Sequence, residues 1–295
     1  MGYSDRDYMQ PQYGGRPPGM PGPFEGAPVT KWLLISNVAI LILQFLLTKP
    51  GELPFLRAEG AFSIQKALYE FQIWRFLTFQ FLHADFGHLL ANGIGLFFFG
   101  PHIERWMTSR AYLTFYLLCG IAGALFYTLL FFLPGFLEGT YLDTRMVGAS
   151  AGLFGILAAF YFVAPNARVL LFFVIPMQMR TLAVVYFAIE TAGVIFNWHN
   201  AGGSAGHLGG ALFGLAVLKI PKLRQGVLWL SKVGEKNPSR GGRKQTRDAT
   251  IVCKKEKSPI ELSKEIDRIL DKISEHGIQS LTAKEKETLN RARRQ

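Results

Sequence analysis

Hydrophobic residues are gathered into long blocks at 31–48, 87–107, 111–133, 148–164, 181–196 and 206–220, and polar residues concentrate between the blocks rather than alternating within them. A helix needs roughly 20 apolar residues to cross the hydrocarbon core. Backbone inside lipid must satisfy its own hydrogen bonds, so blocks filled with Leu, Phe, Gly and Ala predict spanning helices and argue against a barrel. The first block has one flanking cation and no small-residue cleavage pattern, and it reads as a retained signal-anchor. Residues 1–28, rich in Pro, Gly and Tyr and without periodicity, predict a disordered arm. The long loop at 49–86 is partly amphipathic around 58–76, and a loop of that length is expected to be functional or to lie in the membrane interface. Residues 168–180, interrupted by Pro176, form a short apolar connector, and 197–205 a Gly/Ser/Asn-rich link.

Charge orients this arrangement. The chain is 49% hydrophobic and 18% charged, with a mean hydropathy of +0.20, yet residues 221–295 hold 19 of its 32 Lys/Arg and 10 of its 21 Asp/Glu. The apolar, charge-poor first three quarters argue against a soluble globular domain. Six spans place both termini on one side, and the positive-inside rule makes that side the cytoplasm. The expectation is an all-α, multi-pass membrane protein with six transmembrane helices and a cytoplasmic helical tail. Its parts are the arm (1–28), the membrane domain (29–220), a basic polar linker (221–257) and a helical hairpin (258–295). In the hairpin, Ser258-Pro259 begins a helix with an apolar stripe of Ile260, Ile266, Ile269, Leu270 and Ile273. Gly277 ends it, and Thr282 with Glu285 makes a capping box for a last short helix. The tail's cations interleave with acids and hydrophobes, which argues against nucleic acid as a partner. Cys119 lies in a span and Cys253 in the tail, so no disulfide framework is expected. The absence of an organellar transit pattern points to the bacterial inner membrane.

A charge at mid-span costs about 2.5–3.5 kcal/mol on insertion scales, so polar residues inside spans need a partner, a wet cavity or a function. Those singled out are His88, Asn92, Ser150, Glu190 and His207. Even-numbered spans run inward, so His88, Asn92, Ser150 and His207 all fall within one or two turns of the outer end and converge at one depth. His88 and Asn92 share a face at i, i+4, as do Ser150 and Phe154, while His207, Gly210 and Gly214 form a flat stripe that admits a neighbouring helix. A lone serine among Gly and Ala is more often a packing residue. A histidine in a span often serves proton relay or metal binding. Their joint occurrence, with no carboxylate in the cluster and no third metal ligand, favours nucleophilic chemistry. No metal and no cofactor is expected, and Glu190 reads as a buried hydrogen-bonding group of the fifth span.

With Trp74-Arg75, His83-x4-His88-x3-Asn92, Glu104-Arg105, Gly148-x-Ser150 and His207-x2-Gly210-x3-Gly214 in order over about residues 30–220, the chain resembles the rhomboid family of intramembrane serine proteases. The resemblance implies a six-helix rhomboid-like bundle. It implies Ser150 as nucleophile, His207 as general base, and His88, Asn92 and the Ser150 backbone N–H as oxyanion hole. Phe154 would stack on His207, with Gly148, Gly210 and Gly214 in support. With no Asp to orient the imidazole, this reads as a dyad. The implied partners are the bilayer and transmembrane proteins cleaved near the outer end of their spans. The fifth span and the 197–205 link are expected to form a gate. Trp74, Arg75 and His83 are expected to stabilise the first loop rather than take part in the chemistry. One departure is Ala151, where the family's common pattern G-x-S-G has Gly. The alternative reading is a catalytically inactive rhomboid-like adaptor that binds transmembrane helices, at which Ala151 alone hints. A six-span transporter fits less well, because the polar residues gather at one rim rather than at the midplane. The tail segment Ile273-Ser274-Glu275-His276-Gly277 is similar to tails of some bacterial rhomboids.

Overall fold

The computed structural model describes residues 22–48, 53–171, 175–198 and 200–233, together with twelve residues between 268 and 285. The long helices are α1 (Pro28–Leu46), α4 (Phe86–Trp106), α5 (Ser109–Phe131), α6 (Ser150–Val163), α7 (Met179–Ile195) and α8 (Ala201–Lys219). Short helices α2 (Phe55–Gly60) and α3 (Arg75–Thr78) lie between α1 and α4. By length and composition α1, α5 and α8 are apolar and long enough to cross a membrane, and α6 is a shorter apolar helix.

Helix α6 is the centre: its buried residues run almost continuously from Ala151 to Phe160, against α8, α5 and α4. The outer helices show the reverse of a soluble amphipathic pattern. In α1 the buried positions are Thr30, Leu33, Asn37, Leu41 and Gln44, whereas Ile35, Val38, Ile42, Phe45 and Leu46 are exposed. Such an apolar outer face is stable in lipid and a liability in water. Two of the buried polar positions of α1, Thr30 and Gln44, have hydrogen-bond partners. Glu104, at the end of α4, accepts from the Val29 and Thr30 backbone N–H groups at 2.9 and 2.7 Å, and from the Thr30 and Ser109 hydroxyls at 2.8 and 2.7 Å. One carboxylate thereby caps α1 from outside the helix, satisfying amides that have no intrahelical acceptor. At the far end of α1, Gln44 donates to the His83 carbonyl at 3.0 Å.

The loop between α1 and α4 is built around Arg75, which is 2% exposed and donates to the Ala58 and Ala61 carbonyls at 2.9 and 2.7 Å and to Gln72 Oε1 at 2.6 Å. Burial pulls the Arg75 guanidinium below its usual range, opposed by Glu59 and Glu70. This loop is tied to the segment before α6 by backbone bonds between Phe62 and Met146 and from Gly148 N–H to the Phe79 carbonyl.

Four expectations need correction. The chain is not all-α, because the connector at 168–180 contains an antiparallel hairpin of β1 (Arg168–Leu171) and β2 (Ile175–Gln178). Pro176 faces Leu170 there, and a two-stranded ladder has two free edges on which a proline is tolerated. The link at 197–205 is shorter than predicted, since α8 begins at Ala201 and takes Gly202 and Gly203 into its first turn. Tertiary packing outweighs their weak helix preference. The linker assigned to 221–257 opens with a helix, α9 (Pro221–Lys232), with Pro221 at its first position and Val227 buried. The arm assigned to 1–28 is ordered at its end, where Arg105 donates to the Pro23 and Glu25 carbonyls, both at 2.8 Å.

The tail forms a separate compact unit. In it the Thr282 N–H donates to Glu285 Oε2 at 2.8 Å and the Glu285 N–H to Thr282 Oγ1 at 3.3 Å, the reciprocal bonds of a capping box. Hydrogen bonds from Thr282 and then from Lys272 hold the Glu285 carboxyl down to about 2. Ile269 is buried, while Ser258, Pro259, Ile260, Ile266, Leu270, Ile273 and Gly277 lie outside the described residues.

Candidate active site

Ser150 is the first residue of α6, so its backbone N–H belongs to the turn that has no intrahelical acceptor. His207 lies in the second turn of α8. The two helices approach closely because Gly210 rests on the backbone of α6. A Cβ there would overlap the Ala151 carbonyl, and Gly214 lies in the same way against Gly155. The outcome is a distance of 2.7 Å from His207 Nε2 to Ser150 Oγ, within hydrogen-bond reach for proton transfer. The Phe154 ring, one turn beyond Ser150, stacks on the imidazole with centroids 4.4 Å apart and planes 5° from parallel.

His88 and Asn92 stand on the facing side of α4. That helix starts at a side-chain cap, with Asp85 Oδ1 accepting the His88 N–H at 2.8 Å. Gly148 carries φ of +129°, and a Cβ there would come within 2.8 Å of the His88 ring and 3.5 Å of Ser150 Oγ. Only glycine meets both conditions, so Gly148 lets His88 approach the serine. Asn92 is buried, and its Nδ2 has no acceptor among the described residues, which leaves a donor available to a bound group. Behind His88 lies His83, edge-on at 5.2 Å and fully buried. Burial, with a smaller contribution from His88, pushes the His83 imidazole down to about 4.

Ala151 does not enter this space. It is buried, and its methyl lies beside Gly123 of α5, on a different face of α6 from Ser150. The expected dyad has an acidic neighbour that the sequence did not pair with it. Glu190 of α7 places Oε1 3.0 Å from His207 Nδ1, on the ring side opposite Ser150. The contact is not an aligned hydrogen bond, since Nδ1 has no in-line acceptor. The sequence names Glu190 but not its partner. It passes over Asn37 and Gln44, whose seven-residue spacing along α1 is the available signal for an inward polar seam. Among the described residues no group of three His, Cys, Asp or Glu side chains is arranged to hold a metal ion.

A family model described as a Rhomboid domain matches residues 70–221, which include every one of these site residues. The chain belongs to the rhomboid family. A second model, for a family of unknown function (DUF6576), matches residues 256–294 of the tail. Relatives include RHOMBOID-like protein 12, mitochondrial, of Arabidopsis thaliana, 30% identical over 51% of this chain and 46% of that protein. Rhomboid protease GluP of Bacillus subtilis (strain 168) is 32% identical over 50% of this chain and 27% of its own length. Rhomboid protein 1, mitochondrial, of Saccharomyces cerevisiae is 30% identical over 46% and 38%. The chain thus spans less than half the length of these curated relatives. As a rhomboid with apolar, span-length helices, it is an integral membrane protein.

Proposed function

We propose that this rhomboid is an intramembrane serine endopeptidase that hydrolyses transmembrane segments of other membrane proteins near their outer ends. The observation that carries this reading is the 2.7 Å contact between His207 Nε2 and Ser150 Oγ, made across two helices whose crossing permits it. A serine hydroxyl is a weak nucleophile at its ordinary basicity, so His207 Nε2 takes the Oγ proton as Oγ attacks the scissile carbonyl. The negative charge that develops on the carbonyl oxygen is met by Asn92 Nδ2, the His88 ring and the Ser150 N–H. Each such donor is worth about 2.7–4 kcal/mol of transition-state stabilisation. The tetrahedral intermediate collapses as His207 returns the proton to the departing amine. Water, activated by the same imidazole, then releases the acyl group from Ser150. Stacking on Phe154 keeps the imidazole in plane through both steps.

An intact substrate helix hides its carbonyls in i to i+4 bonds. The substrates are therefore spans with Gly, Ala, Ser or Pro near the outer end, where local unwinding costs least. The excess of Lys and Arg in the tail supports, by the positive-inside rule, a reading with both termini in the cytoplasm and the site toward the outer face of a bacterial inner membrane. The methyl of Ala151 lies away from Ser150, which supports the active reading over the inactive adaptor.

A fluorescent fluorophosphonate tests this on folded, detergent-solubilised protein. The wild type is expected to become labelled, and Ser150→Ala and His207→Ala to remain unlabelled with unchanged thermal unfolding. A folded wild type that resists two serine-reactive chemistries overturns the reading in favour of the adaptor.

A further inference from the structure

An acid inside a membrane-spanning helix bundle requires a partner or a function, because its charge is unfavourable in lipid. Glu190 lies in the middle of α7, its side chain 13% exposed, and its carboxylate is directed at α8 rather than along its own helix. The two helices meet along matched i, i+3 faces, Glu190 and Gly193 on α7 against Ser204 and His207 on α8. Gly193 makes the approach possible, since a Cβ there would lie 2.7 Å from Ser204 Oγ. The carboxylate thereby reaches His207, with Oε1 3.0 Å from Nδ1. The imidazole is bordered on three sides: Nε2 by Ser150, one face by Phe154, and Nδ1 by the off-axis carboxylate of Glu190.

We propose that Glu190 is a positioning residue that keeps the proton of neutral His207 on Nδ1 and compensates the imidazolium formed when Nε2 accepts the Ser150 proton. The site is then a Ser–His–Glu arrangement drawn from α6, α8 and α7. The assignment rests on the reading of Ser150 and His207 as nucleophile and base. A neutral imidazole that must accept at Nε2 has to carry its hydrogen on Nδ1, and a carboxylate beside Nδ1 favours that tautomer over the alternative. During attack no proton passes to Glu190. Its charge stabilises the ion pair that the reaction creates, as the buried acid does in Ser-His-Asp enzymes. Because Oε1 lies off the Nδ1–H axis, the effect is smaller than in an aligned triad.

The test compares wild type with Glu190→Gln, Glu190→Ala and Glu190→Asp, reading the limiting rate of fluorophosphonate labelling separately from the half-saturating probe concentration, with thermal unfolding of each variant. Glu190→Gln, which preserves size and hydrogen bonding but not charge, is expected to lower the limiting rate about 10²-fold. That is less than the roughly 10⁴-fold lost when an aligned triad carboxylate is neutralised. Half-saturation and unfolding should stay unchanged, and Glu190→Asp should recover part of the rate. A ¹⁵N-histidine spectrum should show His207 protonated on Nδ1 in wild type and a mixture of tautomers in Glu190→Ala. Normal labelling and an unchanged tautomer in folded Glu190→Gln overturn the proposal while leaving Ser150 and His207 in place. A wild type that does not label overturns the nucleophile reading and this one with it.

Discussion

His207 is held from two sides by helices of opposite character. Its Nε2 faces α6, where nine of 14 residues are buried and Gly210 of α8 rests directly on the Ala151 carbonyl. Its Nδ1 faces α7, where four of 17 residues are buried and Val184, Val185, Phe187 and Ile189 are exposed. The distance that proton transfer requires is thus set by backbone packing with no room to relax. Glu190, which faces that nitrogen, is carried by a helix whose outer face is mostly exposed. The proposed intramembrane protease would need both kinds of contact: a Ser–His pair that does not move, and a wall that does.

The tight side breaks first. Gly210→Val would force α6 and α8 apart, and overpacking of this kind costs about 1–3 kcal/mol or more. The expected result is a lower thermal unfolding midpoint in detergent and complete loss of fluorophosphonate labelling. The loose side is sharpened by bridging α7 to α4 with a bifunctional crosslinker between introduced cysteines. Cleavage of a membrane-embedded substrate should fall at least tenfold while labelling by the small probe persists, and unchanged cleavage would exclude α7 as the moving wall. The smallest effect concerns the support behind His88. His83 titrates near 4 when folded and near 6.5 when unfolded, so between these values the unfolded chain binds more protons. Stability is therefore full above about pH 6.5 and declines as pH falls toward about 4. The unfolding midpoint of wild type should decrease over that window, and that of His83→Gln should vary less with pH.

Much of the site is legible before any fold is known. His88, Asn92, Ser150 and His207 are polar residues in apolar blocks, and the expected alternation of spans alone predicts that they meet. The Gly148, Gly210 and Gly214 positions are legible as well, because a glycine in a span marks a place where something comes close. The tail's capping box is written in the three-residue spacing of Thr282 and Glu285. Other features are not. Residues 168–180 look like an apolar connector because hydrophobicity does not distinguish a short strand from a loop at the interface. Gly202 and Gly203 look like a link, yet they continue α8, since their neighbours Ala201, Ser204 and Ala205 are buried against the bundle.

The sequence by itself pointed to a membrane protein and singled out the polar residues that the fold brings together. These follow from periodicities of one helix and from the alternation of direction between successive spans. Only the tertiary structure decided that Ala151 turns its methyl toward α5, that Glu104 caps α1, and that Glu190 reaches His207. Each of these depends on the rotation of one helix about its axis relative to another. Rotation is set by how small residues such as Gly193 and Gly210 let neighbouring helices approach, and local sequence spacing does not encode it.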